Sequence, residues 1–425
     1  MTKICKSMTK DIIKQLIAEY QQKVVEVKFQ PRDYPVDKQL NYVFTGLRRV
    51  GKSYFMYQII HNLIEQGHSP KEILYFNFED DRIAMLTLLD LDLIKVCFEE
   101  MFDVKPVFFL DEIQVVDKWE KFARRLADQD YRVYITGSNA KMLSSDIATT
   151  LGGRFMIQQI YPFSLSEYLI SLGIDITDKN ILFSKKNEIT KAFQTYFQYG
   201  GLPEHFGLTD KRAWLSNLFQ KLFFGDLVTR YQIRNDFALK MLIRKLAESV
   251  KQPVSFTRLA NIVSSAGKKV STDTVIDYLN YLNENWICFG LENINAKLTA
   301  KSSNKKYYFS DNGLLNLFLI DPNTTLLENI VAIRLLQLYG SEVYYYQNGV
   351  EVDFYVPAKQ LAVQVCYDIS DETTLKREVN ALLKMCNQFD NLILIIITKD
   401  DTNTIEINNR KIEVIPVWKW LLVTN

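Results

Sequence analysis

The sequence lacks several features that would assign it to a specialised class of protein. Its 425 residues hold only five cysteines and three histidines, and neither type forms a cluster along the chain. This scarcity excludes a disulfide framework and a zinc knuckle, and it is typical of a reducing, cytoplasmic environment. No apolar run approaches the ~20 residues that span a bilayer, so we expect no membrane partner.

An excess of one charge sign is also missing, because 51 lysines and arginines face 50 aspartates and glutamates. This balance excludes a protein that coats nucleic acid along its whole surface, but it permits a single basic module. Hydrophobic residues make up 48% of the chain, which is typical of a folded globular protein. Since single cores stop growing near ~250–300 residues, we expect several domains.

Short apolar runs alternate with helical patterns across residues 41–160. This alternation predicts an α/β fold with a parallel sheet flanked by helices. The expected strands are Asn41–Thr45, Ile73–Phe78, Val107–Leu110, Arg132–Thr136 and Phe155–Ile160.

A phosphate-binding loop follows the first of these strands. The segment Gly46–Ser53 fits the pattern G-x-x-x-x-G-K-[ST] at every fixed position, between a strand and a helix. Its glycines let backbone N–H groups wrap the phosphates of ATP at the positive end of a helix. We expect Lys52 to reach the β- and γ-phosphates and the Ser53 hydroxyl to ligate Mg²⁺. The predicted nucleotide-binding residues are Gly46, Arg48, Arg49, Val50, Gly51, Lys52, Ser53 and Tyr54.

Two acidic residues end the third predicted strand, where α/β sheets bind their ligands. Four apolar residues, Val107–Leu110, run directly into Asp111 and Glu112. We expect Asp111 to hold Mg²⁺ and Glu112 to polarise the attacking water as a general base. The alternative is a strand that simply ends in solvated acids.

Two further segments carry candidate catalytic residues. The strand after the acidic one ends in Gly137-Ser138-Asn139, where Ser138 or Asn139 can position water or sense the γ-phosphate, or can merely cap a turn. A glycine-rich turn then presents Arg154, which is either a surface arginine or an arginine finger. As a finger, it would act on its own nucleotide or on that of a second copy in a homo-oligomer.

Taken together, these motifs resemble a bacterial and archaeal family of AAA-type ATPases of the initiator/STAND-like branch, which carry a C-terminal domain of unknown function. The resemblance extends to later segments and so spans nearly the whole chain. It implies ATP binding and hydrolysis, a sensor role for Asn139 and a finger role for Arg154. The matching segments are Gly46–Ser53, Leu110–Gln114 with Trp119, Thr136–Asn139, Leu151–Arg154, Pro162–Ser164, Tyr199–Pro203, Tyr308–Leu314, Glu328 and Glu351–Phe354.

Residues 238–310 resemble a winged helix, with three helices followed by a two-stranded wing. This unit has eleven basic and five acidic residues, so its net charge is +6 and the remainder of the chain carries −5. We expect it to bind DNA, mostly through phosphates, or alternatively a protein. The candidate contacts are Lys268, Lys269, Thr272, Thr274, Lys297, Lys301, Lys305 and Lys306.

The last hundred residues are similar in order to a restriction-endonuclease-like core. Glu328 on a helix and Asp353 on a strand match metal-binding positions of that core. Gln364 and Cys366 stand where an acid and a lysine are expected, and neither can replace its counterpart. We therefore predict a degenerate site formed by Glu328, Asp353, Gln364 and Cys366, without nuclease activity.

The sequence as a whole predicts four parts: an AAA-type P-loop ATPase (1–165), a helical connector (166–237), a winged-helix-like module (238–320) and a mixed α/β nuclease-like domain (321–425). The predicted function is that of a slow, Mg²⁺-dependent ATPase switch whose C-terminal half binds DNA or a protein. The alternatives are an ATP-dependent nuclease and a signalling or scaffold ATPase that binds only protein.

Overall fold

The computed structural model describes residues 3–138, 145–176, 184–267, 269–297, 301 and 303–423, apart from the side chains of 3–9, 145, 146 and 148. The chain forms two compact units, Met1–Ile160 and Tyr161–Asn425. Within the described residues, no helix combines the length and apolar character needed to cross a bilayer.

The first unit is a sheet covered by helices. Its five strands lie in the order β2-β3-β4-β1-β5, and every pair is parallel. The elements are α1 (Lys3–Glu26), β1 (Asn41–Thr45), α2 (Lys52–Glu65), β2 (Ile73–Asn77), α3 (Leu91–Phe102), β3 (Val107–Asp111), α4 (Trp119–Asp128), β4 (Val133–Gly137), α5 (Ser145–Leu151) and β5 (Phe155–Gln159).

The strands of this sheet are apolar because helices cover both of its faces. The residues Phe108, Phe109, Leu110 and Ile135 are fully buried. The register pairs Thr45 with Gly137 and Asn77 with Asp111, so neighbouring strands end at one edge. The α/β fold, the parallel sheet and the flanking helices predicted from the sequence are confirmed.

The second unit begins with helices and then forms two sheets. Its helical part contains α6 (Leu165–Ser171), α7 (Lys186–Tyr199), α8 (Lys211–Lys221) and a π-helix (Leu222–Thr229). The small antiparallel sheet has the order β6-β8-β7. In sequence, β6 lies between the first and second of three helices, and β7 and β8 follow the third. These elements are α9 (Asp236–Glu248), β6 (Val254–Ser255), α10 (Phe256–Ser265), α11 (Thr272–Glu284), β7 (Cys288–Leu291) and β8 (Asn304–Phe309).

The larger sheet of the second unit is mixed and has the order β13-β14-β12-β11-β10-β9. Its parallel pairs are β11–β12 and β12–β14, and the other pairs are antiparallel. The elements are α12 (Asn312–Asn316), α13 (Asn323–Tyr339), β9 (Tyr344–Gln347), β10 (Glu351–Val356), β11 (Leu361–Val365), α14 (Glu372–Met385), β12 (Ile393–Thr398), β13 (Asn403–Ile407), β14 (Arg410–Pro416) and α15 (Val417–Val423).

The core of this sheet is built from apolar residues of several strands and of α14. Leu382 and Met385 of the helix are fully buried and belong to one cluster with Val352, Ala362 and Ile396. The boundary at residue 160 lies near the predicted end of the ATPase part. The finer division into four parts stays a prediction.

Candidate functional site

The phosphate-binding loop connects β1 to α2 through two glycines with positive φ angles. Gly46 has φ +140°, and a Cβ there would lie 2.2 Å from the backbone oxygen of Ile160. Gly51 has φ +96° and precedes the first residue of α2. Both positions need glycine, because L side chains rarely adopt these angles and the first has no room for a side chain. The loop therefore lies at the N-terminus of α2.

Lys52 lies between this loop and the acidic pair. Its side chain is 4% exposed, and its Nζ donates to the backbone oxygens of Gly46 and Leu47, each at 3.2 Å. The same nitrogen lies 3.8 Å from Oε1 of Glu112. Burial lowers the pKa of Lys52. An ammonium in this place can exchange its backbone contacts for phosphate oxygens.

Asp111 ends β3 with a carboxylate that three hydroxyl groups surround. The side chain is buried and accepts hydrogen bonds from Ser53 Oγ at 3.1 Å, from Tyr75 at 2.5 Å and from Thr136. Burial, followed by the neighbouring charge of Glu112, raises its pKa. Hydroxyl and carboxylate oxygens are the ligands that Mg²⁺ prefers, so Ser53 and Asp111 fit this cation.

Glu112 is held beside Asp111 in an unusual backbone conformation. Its φ is +54°, in the left-handed region, and its N–H donates to Thr136 Oγ1 at 2.9 Å. Gln114 Nε2 donates to Glu112 Oε2 at 2.5 Å. Although burial alone would raise the pKa of Glu112, the Lys52 ammonium and this amide lower it. The glutamate is thus kept ionised, as a general base requires.

The remaining loop residues lie around this centre. Arg48 forms an ion pair with Glu79 at 3.4 Å, and Arg49 has a positive φ of +70°. Val50 is fully buried, whereas Tyr54 is 51% exposed. Exposed and charged groups therefore surround a buried loop, and the predicted binding role of these residues stays a prediction.

The end of β4 lies between the loop and the acidic pair, because β4 is the strand between β1 and β3. Ser138, one of the two candidate sensors, is buried there. Asn139, the other candidate, lies outside the described residues. The sensor role stays a prediction for both.

Arg154 lies near the N-terminal ends of the strands, opposite to the end that carries the phosphate-binding loop. β5 is parallel to β1 and pairs Phe155 with Asn41, so Arg154 adjoins the start of β1. The phosphate-binding loop begins five residues further along, roughly 16 Å away in an extended strand. The guanidinium instead forms an ion pair with Asp128. This placement does not favour action on its own nucleotide, so action on a second copy and a plain surface role stay as the two predictions for Arg154.

In the second unit, two of the four predicted nuclease-like residues contact the same lysine. Glu328 of α13 and Asp353 of β10 both contact Lys306 of β8, whose Nζ is 3.3 Å and 3.0 Å from their carboxylates. Glu351 lies 2.6 Å from the same nitrogen. Since an ammonium lies among these carboxylates, they do not fit a metal ion. Across the described chain, no group of three or more acidic, histidine or cysteine side chains is arranged to hold one.

Gln364 and Cys366 do not join this cluster as ligands. Gln364 uses its carbonyl oxygen to accept from the backbone N–H of Asp353 at 2.7 Å, and its amide donates to Glu378. The Cys366 thiol donates to the backbone oxygen of Asp368 at 3.1 Å. Both side chains hold the local fold, and the loss of nuclease activity stays a prediction.

The burial of Lys306 also corrects its predicted contact with DNA. The side chain is fully buried, so it cannot meet a phosphate, and the expectation is wrong. Lys305 is partly exposed but forms an ion pair with Glu292 at 3.0 Å. Lys269 and Lys297 are exposed, Lys301, Thr272 and Thr274 are half-buried, and Lys268 lies outside the described residues.

The sequence did not point to several residues that build the nucleotide site. Tyr75 on β2 and Thr136 on β4 donate to Asp111, and Gln114 donates to Glu112. Arg32 is buried and donates through Nη1 to the Val50 oxygen of the loop at 3.2 Å. Thr136 and Gln114 lie in segments that resemble the family, whereas nothing in the sequence indicated a role for Tyr75 or Arg32.

Two of the family-like segments of the second unit meet at Asp311. Its carboxylate accepts from the backbone N–H groups of Gly201 and Gly313, both at 2.8 Å, and from Leu314 at 3.2 Å. A Cβ on Gly200 would lie 2.2 Å from the same carboxylate. Glycine is therefore required where the segment Tyr199–Pro203 approaches Asp311.

Two family models match parts of this chain. A family model described as an AAA domain matches residues 38–169, and one described as a domain of unknown function matches residues 190–324. Among solved structures, the Walker-type ATPase of Pyrococcus abyssi is similar over 71% of this chain and 95% of its own, with a TM-score of 0.41 and 13% identity.

Two curated relatives match most of the chain. An uncharacterized protein of Methanocaldococcus jannaschii is 33% identical over 396 residues, which cover 89% of this chain and 88% of the relative. An uncharacterized protein of Haemophilus influenzae is 32% identical over 392 residues, with 89% and 94% coverage. The chain therefore belongs to the family of these archaeal and bacterial proteins and carries the AAA domain of a P-loop ATPase.

Proposed function

We propose that this protein is a slow Mg-ATP hydrolase that acts as a molecular switch. The observation that carries this proposal is the meeting of four side chains at one edge of the sheet. Lys52 and Ser53 end the loop and begin α2, Asp111 ends β3, and Glu112 follows it. The two pairs are joined by contacts of 3.8 Å (Lys52–Glu112) and 3.1 Å (Ser53–Asp111). One cation, one hydroxyl and two carboxylates are the groups that phosphoryl transfer to water needs.

Each of these residues has one role in the proposed reaction. Lys52 turns from the loop oxygens to the β- and γ-phosphates and neutralises their charge. Ser53 and Asp111 hold Mg²⁺, which when bound offsets the negative charge of the phosphates. Glu112 takes a proton from the attacking water as the water oxygen bonds to the γ-phosphorus. The bond from that phosphorus to the bridging oxygen breaks, and ADP leaves with both bonding electrons.

The backbone strain at Glu112 supports a catalytic role. A non-glycine residue with positive φ costs on the order of 1–3 kcal/mol and persists where surrounding contacts fix it. Here the bond to Thr136 and the amide of Gln114 fix both the backbone and the carboxylate.

ATP binding and phosphate release test the proposal directly. We expect the wild type to bind ATP in a Mg²⁺-dependent manner and to release phosphate slowly, and Lys52→Ala to do neither. Lys71→Ala, at an exposed lysine of the same unit, is the matched control and should behave as wild type. Equal ATP binding by wild type and Lys52→Ala would reject the proposed site.

We further propose that residues 238–310 form a winged-helix-like module that binds DNA or a protein, and that the nucleotide state alters this binding. The order of α9, β6, α10, α11, β7 and β8, with the sheet order β6-β8-β7, supports the winged-helix part. The four-part domain division is proposed on the same ground.

The distribution of charge within the module indicates which of its surfaces could bind DNA. Asp273 and Asp277 are exposed on α11, the helix that would enter a major groove. Lys240 and Arg244 are exposed one helical turn apart on α9. We therefore place phosphate contacts on α9 and near the wing at Lys297. The acidic surface of α11 favours a protein partner over DNA.

Filter binding of DNA across a range of salt, with and without ATP, separates these partners. A phosphate contact predicts affinity that falls steeply with salt and weakens further in the double variant Lys240→Glu, Arg244→Glu. The control is Lys411→Glu, at an exposed lysine of the C-terminal sheet. Absent or salt-insensitive binding would reject DNA and leave the protein partner, for which a pull-down is the test.

The nuclease alternative has less support. Gln364 and Cys366 make structural contacts, and Lys306 lies among the carboxylates that a metal-dependent nuclease would need free. Cleavage of supercoiled or single-stranded DNA with Mg²⁺ or Mn²⁺, lost in Asp353→Ala, would overturn this view.

A further inference from the structure

Three carboxylates of the second unit surround one buried ammonium. Lys306 Nζ lies 2.6 Å from Glu351 Oε1, 3.0 Å from Asp353 Oδ1 and 3.3 Å from Glu328 Oε1, and its side chain is 0% exposed. An ammonium has three N–H donors, so each carboxylate can receive one of them. These contacts join β8 of the small sheet to α13 and to β10 of the large sheet.

The carboxylates are themselves held by other groups. Tyr308 donates its hydroxyl to Glu328 Oε1 at 2.7 Å, and the backbone N–H of Val365 donates to the second oxygen of Asp353 at 2.9 Å. The side chains of Asp353 and Glu351 are 14% and 34% exposed, so the cluster meets solvent on their side. The Glu328 and Asp353 carboxylates are therefore held by contacts that do not involve the lysine.

We propose that the Lys306 ammonium is the resident cation of this cluster, that it takes the place of a divalent metal, and that it fastens the small sheet to the large one. This inference goes beyond the proposed ATPase switch, because it assigns a role to residues of the second unit, whereas the nucleotide site belongs to the first unit. It also explains why Glu328 and Asp353 can come together without any metal: a covalently attached positive charge replaces the ion.

The electrostatics of the cluster agree with a permanently charged lysine. Burial alone would lower the pKa of Lys306, but the negative charges of Glu328, Asp353 and Glu351 raise it well above its usual value. Removing one partner from a buried ion cluster leaves the remaining charges uncompensated. A neutral side chain at position 306 would thus leave the negative charge of three carboxylates uncompensated. We expect Mn²⁺ or Mg²⁺ to enter in place of the ammonium, since these cations prefer oxygen ligands.

A second contact supports the fastening role. At the end of β8, the backbone N–H of Phe309 donates to Asn329 Oδ1 at 2.8 Å, and Asn329 Nδ2 donates back to the Phe309 oxygen at 3.0 Å. Asn329 follows Glu328 on α13, so two neighbouring residues of one helix hold the two ends of the same strand segment.

Titration with Mn²⁺, followed by electron paramagnetic resonance of the free ion, tests this proposal in the full-length protein without nucleotide. All proteins carry Asp111→Asn, so that the nucleotide site adds no tight cation site. We expect Lys306→Met to bind one more Mn²⁺ than its parent. The affinity of this added site should be at least roughly tenfold higher than any Mn²⁺ binding by the parent, and the site should be lost when Asp353→Asn is added. Lys305→Met, at the adjacent lysine, is the matched control and should gain nothing.

Two results would overturn the proposal. One is binding of Mn²⁺ by the parent that depends on Asp353, which would mean that Lys306 does not occupy the cation position. The other is a Lys306→Met protein that gains no site. If that variant is unfolded, circular dichroism should show that Mn²⁺ restores its structure, because ligands of the native state stabilise it. Failure of Mn²⁺ to restore the fold would count equally against the proposal.

Discussion

Tyr75 donates its phenolic hydroxyl to the Asp111 carboxylate at 2.5 Å, from the strand next to the one that carries the acid. Tyr57 of α2 donates in turn to the Tyr75 oxygen at 3.1 Å. The strand after the phosphate-binding loop thus supports the acid that we expect to hold Mg²⁺. Burial raises the pKa of Tyr75 well above its usual value, so the hydroxyl stays protonated and remains a donor.

We expect Tyr75→Phe to weaken the Mg²⁺ dependence of ATP binding without removing any direct ligand. Residues that orient a metal-binding carboxylate typically contribute about 10–100-fold in metal affinity. The half-saturating Mg²⁺ concentration for ATP binding, measured by fluorescence of a labelled nucleotide, should rise about tenfold. Tyr57→Phe is the control and should have a smaller effect, because its hydroxyl contacts Tyr75 and not Asp111. Unchanged Mg²⁺ dependence in Tyr75→Phe would remove Tyr75 from the site.

His205 predicts an acid-sensitive contribution to stability. Burial lowers the pKa of its imidazole to about 4 from 6.5. Between these values the unfolded chain binds a proton that the folded chain does not, so this contribution is present above pH 6.5 and is lost as the pH falls towards 4. From pH 7 to pH 5, wild type should lose about 2 kcal/mol of unfolding free energy more than His205→Phe does.

Urea denaturation of wild type and His205→Phe at the two pH values measures this difference. His68→Gln, at a histidine on the surface of the first unit, is the control and should follow wild type. Asp311 does not disturb the comparison, although burial raises its pKa to about 6, because it is present in every variant. Parallel loss of stability in wild type and His205→Phe would contradict the prediction.

A finger role for Arg154 predicts that catalysis requires two copies. Since Arg154 lies at the sheet edge away from its own loop, a finger role requires a neighbouring chain. We expect Arg154→Ala to bind ATP but to lose turnover, with a loss that reaches roughly a thousandfold for a complete finger. Mixing it with Lys52→Ala should restore turnover, because one chain then supplies the loop and the other the arginine.

The control for this experiment is Arg124→Ala, since Arg124 also forms an ion pair with Asp128, at 3.6 Å. That variant should keep its turnover. A mass measurement with and without ATP should show association of the wild type. Absence of any recovery in the mixture, together with a monomeric mass under turnover conditions, would leave Arg154 as a surface residue.

The sequence predicted the parallel sheet and the nucleotide motifs because both depend on local patterns. Glycine at positions 46 and 51, and apolar residues before Asp111, have local causes in backbone angles and strand burial. The residues that hold the acidic pair in place have no such local cause. Tyr75 is one of several aromatic and aliphatic residues in β2, and only the register of β2 against β3 brings its hydroxyl to Asp111.

The position of Lys306 also could not be predicted from local sequence. In sequence it belongs to a lysine-rich stretch that suggests a basic wing, and nothing local separates it from Lys305. Alternation along β8 turns one lysine outward and the other inward, where Glu328 and Asp353 arrive from 22 and 47 residues away. Charge counts from sequence therefore overstate the basic surface, since at least one of the counted cations is internal.

ATP turnover by Glu112→Gln tests the central claim most directly. Under single-turnover conditions with Mg-ATP, we expect wild type to convert bound ATP to ADP and phosphate. Glu112→Gln should bind ATP with similar affinity and convert it at least about a hundredfold more slowly, since general-base catalysis contributes typically 10²–10⁴-fold. Conversion by Glu112→Gln at the wild-type rate would contradict the account.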